Sequence, residues 1–419
     1  VVIRSPNRNE RGATSIQVLV ILVPVVFALL GFAWDLGQLY LSRTELKAAA
    51  DSMALAAAQR LVGTDVSAEL SRTAVEVARS GSRYNFSGTT VGQTDGTLTS
   101  EIESTVFSTV VEAASTEDGG TDAASRESKY VRVRISADAP LTFWRFMPLP
   151  EAQEGRSRIR VQAVAGLSAP LCTACGIEPI FIQAVSPDDL LHFGFAPATR
   201  YTFYPQCIGA APAAPSIAYQ IADRYNINST SEERPQLYRI GAAGLPPLPT
   251  VTQAVSTPSP SCMGVGETLT PWSASTTPIL VPNCNAAIVD DRLTTLMCGL
   301  YSRFDNTAVP DACVNLTGVD STIFQTDTFI DDLADYSTEY QGNGRRVITV
   351  AVVDPALTVL GFRQFLLEPG LSFSNGRFSV LYVATTSEAG DRANLVPVRQ
   401  GSIGGCQQVA GPGKVVLHQ

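Results

Sequence analysis

Hydrophobic positions along this chain follow three different rules. From Gly12 to Trp34 they are nearly continuous and no charged residue interrupts them. From Leu46 to Leu61 they keep to one helical stripe: Leu46, Ala50, Met53, Ala57 and Leu61 stand at i, i+4, i+7, i+11 and i+15, with Ala54 beside them. Beyond residue 130 they alternate with polar residues, as half-buried strands require.

The first rule predicts a membrane-spanning helix. A helix from Gly12 to Trp34 is about 34 Å long, enough for a hydrocarbon core of about 30 Å. One segment cannot form a barrel, so a helix is the conformation that satisfies its backbone in lipid. The apolar run passes directly into the second, soluble pattern, which predicts a retained anchor rather than a cleaved leader. Ile16 and Phe27 lie within the span. Pro24 removes one backbone donor and predicts a kink. Trp34 and Tyr40 fall at the expected outer interface. Arg4, Arg8 and Arg11 precede the span against Glu10 alone, and Asp35 follows it. That bias predicts a short cytoplasmic N-terminus, a single pass and export of the remaining chain.

The second rule predicts that the helix continues outside the membrane to about Leu61. Its alanines, Ala48 to Ala50, Ala54 and Ala56 to Ala58, make a smooth face suited to close helix packing. A second helix is predicted after Gly63, capped by Asp65, with Val66, Leu70, Ala74 and Val77 as its apolar stripe. Gly81 ends it.

The third rule predicts a small antiparallel sheet. A strand is expected within Ile102 to Val111. In the next, Val131, Val133 and Ile135 alternate with Arg132 and Arg134; in another, Ile159, Val161 and Ala163 alternate with Arg158, Arg160 and Gln162. The arginines are expected on a solvated face balanced by Glu127, Glu151 and Glu154. Between these strands, Phe143, Trp144, Phe146 and Met147 are expected to plug the sheet. The domains predicted are 1–63 (N-terminus, transmembrane helix and spine), 64–166 (an α+β module) and 167–419 (a cysteine-rich mixed α/β domain). The last includes a Pro/Ser-rich loop over 241–282. Within it, helices are expected over Asp290–Tyr301 and Ile330–Tyr340. Strands are expected over Pro179–Val185, Val347–Val353, Leu357–Leu367 and Phe378–Val383. The fold class is therefore α+β, with a transmembrane helix running into a long spine.

All eight cysteines lie in the third region: Cys172, Cys175, Cys207, Cys262, Cys284, Cys298, Cys313 and Cys406. An even number confined to the exported part predicts a disulfide framework in an oxidising compartment. Short closures such as Cys284–Cys298 or Cys298–Cys313 are natural candidates, but spacing does not select a pairing. Cys172-Thr-Ala-Cys175 also has the form of a zinc or redox pair. Neighbouring ligands are irregularly spaced and the compartment disfavours free thiolates, so structural disulfides are the leading reading.

Charge and motif content exclude other classes. Net charge is −9 and the first 34 residues are net positive, so the exported part is more acidic than the whole. Nucleic acid, which needs a basic surface, is not an expected partner. There are two histidines. His192, flanked by Leu191 and Phe193, reads as a satisfied structural residue, and His418 as a frayed terminus. No GxSxG, HExxH, P-loop, GxGxxG or EF-hand spacing occurs. No catalytic, cofactor-binding or metal-ligating residue is assigned, and the chain is expected not to be an enzyme.

Arg11-Gly12-Ala13, the Pro-interrupted apolar run, Asp35-Leu36-Gly37-Gln38-Leu39-Tyr40, Arg43-Thr44-Glu45-Leu46 and Ala48 to Ala56 together resemble the N-terminal segment of the TadE/TadG-like family of tight-adherence (Tad, or Flp) pilus proteins. The resemblance covers residues 11–61. It implies a bacterial inner-membrane protein with its bulk in the periplasm or at the cell surface. Its partners would be other Tad pilin-like proteins and the assembly platform, with homo-oligomerisation through the N-terminal helix. The packing face, Leu46, Ala50, Met53, Ala54, Ala57 and Leu61, would meet those subunits. In prepilin-like members a peptidase cuts after a glycine and a glutamate stands five residues later. The candidate processing site here is Gly12-Ala13, with Gln17 in the glutamate's place. A neutral amide cannot make the buried ion pair that a carboxylate would, which fits the TadG-like branch. TadG-like members commonly carry a DxSxS metal site, which is absent from this chain. The implied function is non-enzymatic: pilus assembly, adhesion or surface-filament biogenesis. The alternative is a membrane-tethered binding module or adhesin outside a pilus.

Overall fold

The structure, a computed structural model, describes residues 10–64, 66–81, 83–84, 89–90, 94–95, 98–115, 123, 128–144, 156–175, 177–222, 262–271, 284, 291–301, 303–304, 327, 340–342, 344–371, 375–383, 400–402 and 411–418. It is α+β, with one long N-terminal helix and a sheet-rich body.

Helix α1 runs without a break from Glu10 to Ala58 and continues through Pro24. Its two halves differ in surroundings. Ile16 to Leu30 are exposed, with Ile16 at 66% and Phe27 at 68%. From Gly31 onward a stripe goes under cover: Gly31, Asp35, Ser42, Leu46, Ala50, Met53, Ala54, Ala57 and Ala58 are buried. That stripe begins well before Leu46 because Gly31, Asp35 and Ser42 have no apolar side chain for a periodicity reading to detect.

Helix α2 (Ser67–Gly81) folds back on α1. The backbone N–H of Thr64 donates to the Ser67 hydroxyl at 2.8 Å, closing the turn before the helix. Asp65, the expected cap, lies outside the described residues. The buried face of α2 is Ser67, Ala68, Ser71 and Val75, not the predicted Val66, Leu70, Ala74 and Val77; Val77 is 67% exposed. The helix is rotated because small side chains let it lie closer to the alanine-rich α1 than valine and leucine would.

Three two-residue strands follow, β1 (Arg83–Tyr84), β2 (Thr89–Thr90) and β3 (Thr94–Asp95). Then come β4 (Leu98–Phe107), the short helix α3 (Val110–Ala114), β5 (Tyr130–Pro140) and β6 (Arg156–Leu167). The sheet order is β16-β6-β5-β4-β3, antiparallel throughout, where β16 is Val415–His418. Thus residues 415–418, assigned by chain order to the third region, are a strand of the first sheet. His418 is not frayed: it pairs with Val164 and lies edge-on to Tyr130, ring centroids 5.1 Å apart.

One face of this sheet receives α1. Val131, Val133, Ile135 and Ala137 of β5, with Val161, Ala163 and Ala165 of β6, share a core with the α1 stripe. Each large apolar side chain buried there contributes about 1.5–3 kcal/mol. The other face is solvated as expected at Arg158 and Arg160 of β6, but not at Arg132 and Arg134 of β5. Arg132 is 1% exposed, its guanidinium 4.6 Å from the centre of the Phe107 ring, and it donates to the Ser115 carbonyl at 3.0 Å. Arg134 donates to the same carbonyl at 3.2 Å. The turn after α3 covers this part of the face, so Arg132 and Arg134 saturate a carbonyl instead of facing water. Arg158 pairs with the exposed Glu101, a contact of small energetic weight.

The remaining elements are β7 (Thr173–Cys175), β8 (Ile180–Gln183), β9 (Arg200–Pro205), β10 (Ser216–Ile221), β11 (Cys262–Gly264), α4 (Asp291–Tyr301), β12 (Val347–Val353), β13 (Val359–Leu367), β14 (Phe378–Tyr382) and β15 (Gln400–Ser402). Six of them close into a barrel in the order β10-β8-β12-β13-β14-β9, with the β10–β9 and β8–β12 pairs parallel. One face of these strands feeds a cluster with Phe193, Phe195 and the α4 residues Leu293, Leu296, Met297 and Leu300. The opposite face of β8, β12 and β13 packs against Leu171, Ala174, Ile177 and Met263. Burial on both faces explains why β12 is apolar at every position but Thr349; every residue of it is buried.

Two disulfides are described, Cys175–Cys262 and Cys207–Cys284, spanning 87 and 77 residues. The loop-entropy model gives each about 4.5 kcal/mol. Cys284 therefore does not pair with Cys298, and Cys172-x-x-Cys175 is not itself a disulfide. Cys172 and Cys298 are also disulfide-bonded. Cys313 and Cys406 lie outside the described residues, as do the predicted helix from 330 and most of the 241–282 loop.

Candidate functional site: the junction of the long helix and the sheet

Helix α1 meets the body where its apolar run ends, and one carboxylate organises the contact. Asp35 is 1% exposed. After β5 ends at Pro140 the chain turns toward α1, presenting three successive backbone N–H groups to this side chain. Thr142 donates to Oδ1 at 3.0 Å, and Phe143 and Trp144 donate to Oδ2 at 2.8 and 2.6 Å. Consecutive N–H groups that converge in this way form an anion nest. Hydrogen bonds to a charged acceptor contribute about 1.5–3 kcal/mol each.

The turn then lays its aromatic rings along the helix. Phe143 rests on Gly31, where an added Cβ would come within 2.7 Å of the ring. Trp144 stacks against Phe32 with centroids 5.1 Å apart. The sequence pattern places Phe143 and Trp144 as a plug of the sheet. They dock on the helix instead, because three donors and a glycine groove await them there. Phe146 and Met147 lie outside the described residues. Asp35 reads in sequence as the charge that ends the span; nothing in a linear pattern shows that its partners stand more than a hundred residues away.

Farther along α1, Lys47 ties the helix to β6 by donating to the Gln162 carbonyl at 2.8 Å, and it pairs with Asp51 at 2.9 Å. The predicted packing face, Leu46, Ala50, Met53, Ala54, Ala57 and Leu61, is 0–1% exposed in this single chain. It meets the chain's own sheet and α2. That corrects the expectation that it meets other subunits, since a face already buried has no area left to offer. The apolar half of α1 is exposed, with Ile16, Pro24, Phe27 and Trp34, and beyond it Leu36, Tyr40 and Leu41 are exposed on the side away from the body. Gly12 and Ala13 lie in its first turns and Gln17 is on its surface.

The barrel holds a second polar cluster. Asp189 accepts backbone N–H bonds from Leu191, His192 and Gly194 at 3.0, 3.1 and 3.0 Å. Burial would raise its carboxyl, but these donors outweigh that and hold it below the ordinary value. His192 Nδ1 lies 3.1 Å from the Tyr382 hydroxyl. Burial first, and the Arg363 charge after it, push the imidazole below its usual range against the pull of Asp189. Arg363 donates to the Leu190 and Leu191 carbonyls at 3.0 and 2.9 Å and lies 4.0 Å over the Phe193 ring. Burial brings it down to about 10. These groups spend their hydrogen bonds on pinning the 186–195 loop to β13 and β14. A further buried pair, Glu178 with Arg303, ties the segment before β8 to the turn after α4, and burial raises the Glu178 carboxyl. Among the described residues no group of His, Cys, Asp and Glu is placed to hold a metal ion.

The architecture is that of a membrane-anchored α+β protein: among the described residues one helix is long and apolar enough to cross a bilayer, and it carries a sheet-rich body at its far end. Residues 12–60 match the family model described as Putative Flp pilus-assembly TadE/G-like, which is α1 to within two residues at either end. The match points to a Tad pilus-related role. No curated protein and no solved structure matches the chain.

Proposed function

We propose that the chain is a non-enzymatic, TadG-like component of a Tad pilus system. It is held in the bacterial inner membrane by a single pass, with its body in the periplasm or at the cell surface. The observation that supports this is the coincidence of the matched segment with α1. Half of that helix is bare and apolar, and one stripe of the other half is built into the core of the chain's own body. Other pilin-like subunits, or further copies of this chain, then pack on the bare half between Ile16 and Val26, and the body couples to the assembly platform.

A chimera tests the reading. Residues 12–30 are replaced by an unrelated apolar helical segment, leaving Gly31, Phe32, Asp35 and the body unchanged. Pilus assembly and co-purification with pilin-like partners are expected to be lost while the body still folds. Retained function would instead make the anchor a plain tether and the protein a membrane-held binding module. The mass of the N-terminal peptide, from membranes and from sheared filaments, shows whether cleavage follows Gly12 despite Gln17.

A further inference from the structure

We propose that the turn carrying Phe143 and Trp144 is a second membrane contact, seated in the lipid interface of the leaflet facing the body, beside α1. The inference rests on residues 12–34 lying in a bilayer. Phe143 touches Gly31, which lies one helical turn inside the uncharged run that ends at Trp34. The turn therefore sits at the depth of the last turn of the span, not above it. Phe143 is 46% exposed, and around it on α1 stand Phe27, Leu30 and Trp34, exposed at 68%, 62% and 60%. An aromatic cluster of that kind suits the boundary between headgroups and acyl chains.

The obstacle to placing a turn at that depth is its backbone. Free N–H groups in a dehydrated layer are costly. Here the three N–H groups of the turn are all satisfied by Asp35. The same contacts satisfy the carboxylate, so both partners can leave water together. Asp35 thus acts as a positioning residue: it locks the aromatic turn to the helix and fixes how the body stands on the membrane. The occupant of the exposed aromatic surface is a phospholipid interface, because that surface is continuous with the lipid-facing side of α1.

The test uses the full chain in vesicles of phosphatidylethanolamine and phosphatidylglycerol. The sequence has three tryptophans, Trp34, Trp144 and Trp272. Trp34→Phe with Trp272→Phe leaves Trp144 as reporter; Trp144→Phe with Trp272→Phe leaves Trp34 as control. Lipids spin-labelled near the headgroup are expected to quench Trp144 several-fold more than lipids labelled at the chain end. Aqueous iodide is expected to quench it weakly. Adding Asp35→Ala should restore iodide quenching of Trp144 several-fold while leaving Trp34 in lipid. If Trp34 is quenched by lipid but Trp144 only by iodide, the proposal fails and the anchor reading stands. If lipid and iodide both fail to reach Trp144, a protein partner covers the turn and the proposal also fails. If lipid does not quench Trp34, the anchor reading falls and takes the proposal with it.

Discussion

Phe143 lies against Gly31 so closely that a Cβ on the glycine would sit 2.7 Å from the ring. The contact joins a helix and a turn more than a hundred residues apart. Gly31→Val leaves no room for the ring and costs about 1–3 kcal/mol, the usual range for overpacking. The variant is expected to expose the 141–144 turn to limited proteolysis, with the barrel's melting unchanged.

Ala54 is fully buried between α1 and the sheet. Ala54→Trp inserts a large ring where the sheet approaches the helix backbone. We expect loss of cooperative unfolding of the first module in isolated, monomeric protein. A variant that left the monomer's melting intact, and changed only its association, would restore the inter-subunit reading of this face.

Glu178 and Arg303 form an ion pair that is nearly inaccessible. Glu178→Ala leaves the guanidinium buried without its carboxylate, which typically costs 3–5 kcal/mol, so about that loss is expected in denaturant unfolding of the barrel. Glu178→Gln keeps a hydrogen-bond acceptor and should lose less.

His192 carries a pH signature. Its folded-state pKa is lowered, against an unfolded value of about 6.5. The unfolded chain therefore binds the proton first as pH falls. Its contribution to stability is full above that value and is lost as pH falls from there through the lowered pKa. Asp189, also lowered, is stabilising above the ordinary carboxylate range of about 3.9 and loses its contribution only below it. The melting temperature is expected to fall between pH 7.5 and about 5, and His192→Gln should flatten that slope. An unchanged slope would show that the imidazole is not held neutral by the loop.

Removing Cys175–Cys262 with a double Cys→Ser substitution should cost up to about 4.5 kcal/mol on the loop-entropy account. Thermal unfolding with and without reductant measures this directly, and the double variant should lose part of the wild-type response.

Much of the architecture was legible in the chain itself. An uncharged apolar run, a 3.6-residue stripe and period-two strands are local signals, set by which side chains each backbone geometry can place on one face. They identified the span, the continuation of α1, and the strands now seen as β5, β6, β8 and β12 to β14. The partner of each face was not legible. The alanine stripe announces close packing, but whether a sheet of the same chain or another subunit fills it depends on where residues 131–165 return. Arg132 looked solvated because alternation records only which side a residue takes, not what later covers that side. The order of the barrel, the Cys207–Cys284 pairing and the return of residues 415–418 to the first sheet are matters of long-range closure, to which neighbouring residues are blind. Asp35 joins the two kinds of information: sequence marks it as the charge that ends the span, and only the tertiary fold brings three backbone donors to meet it.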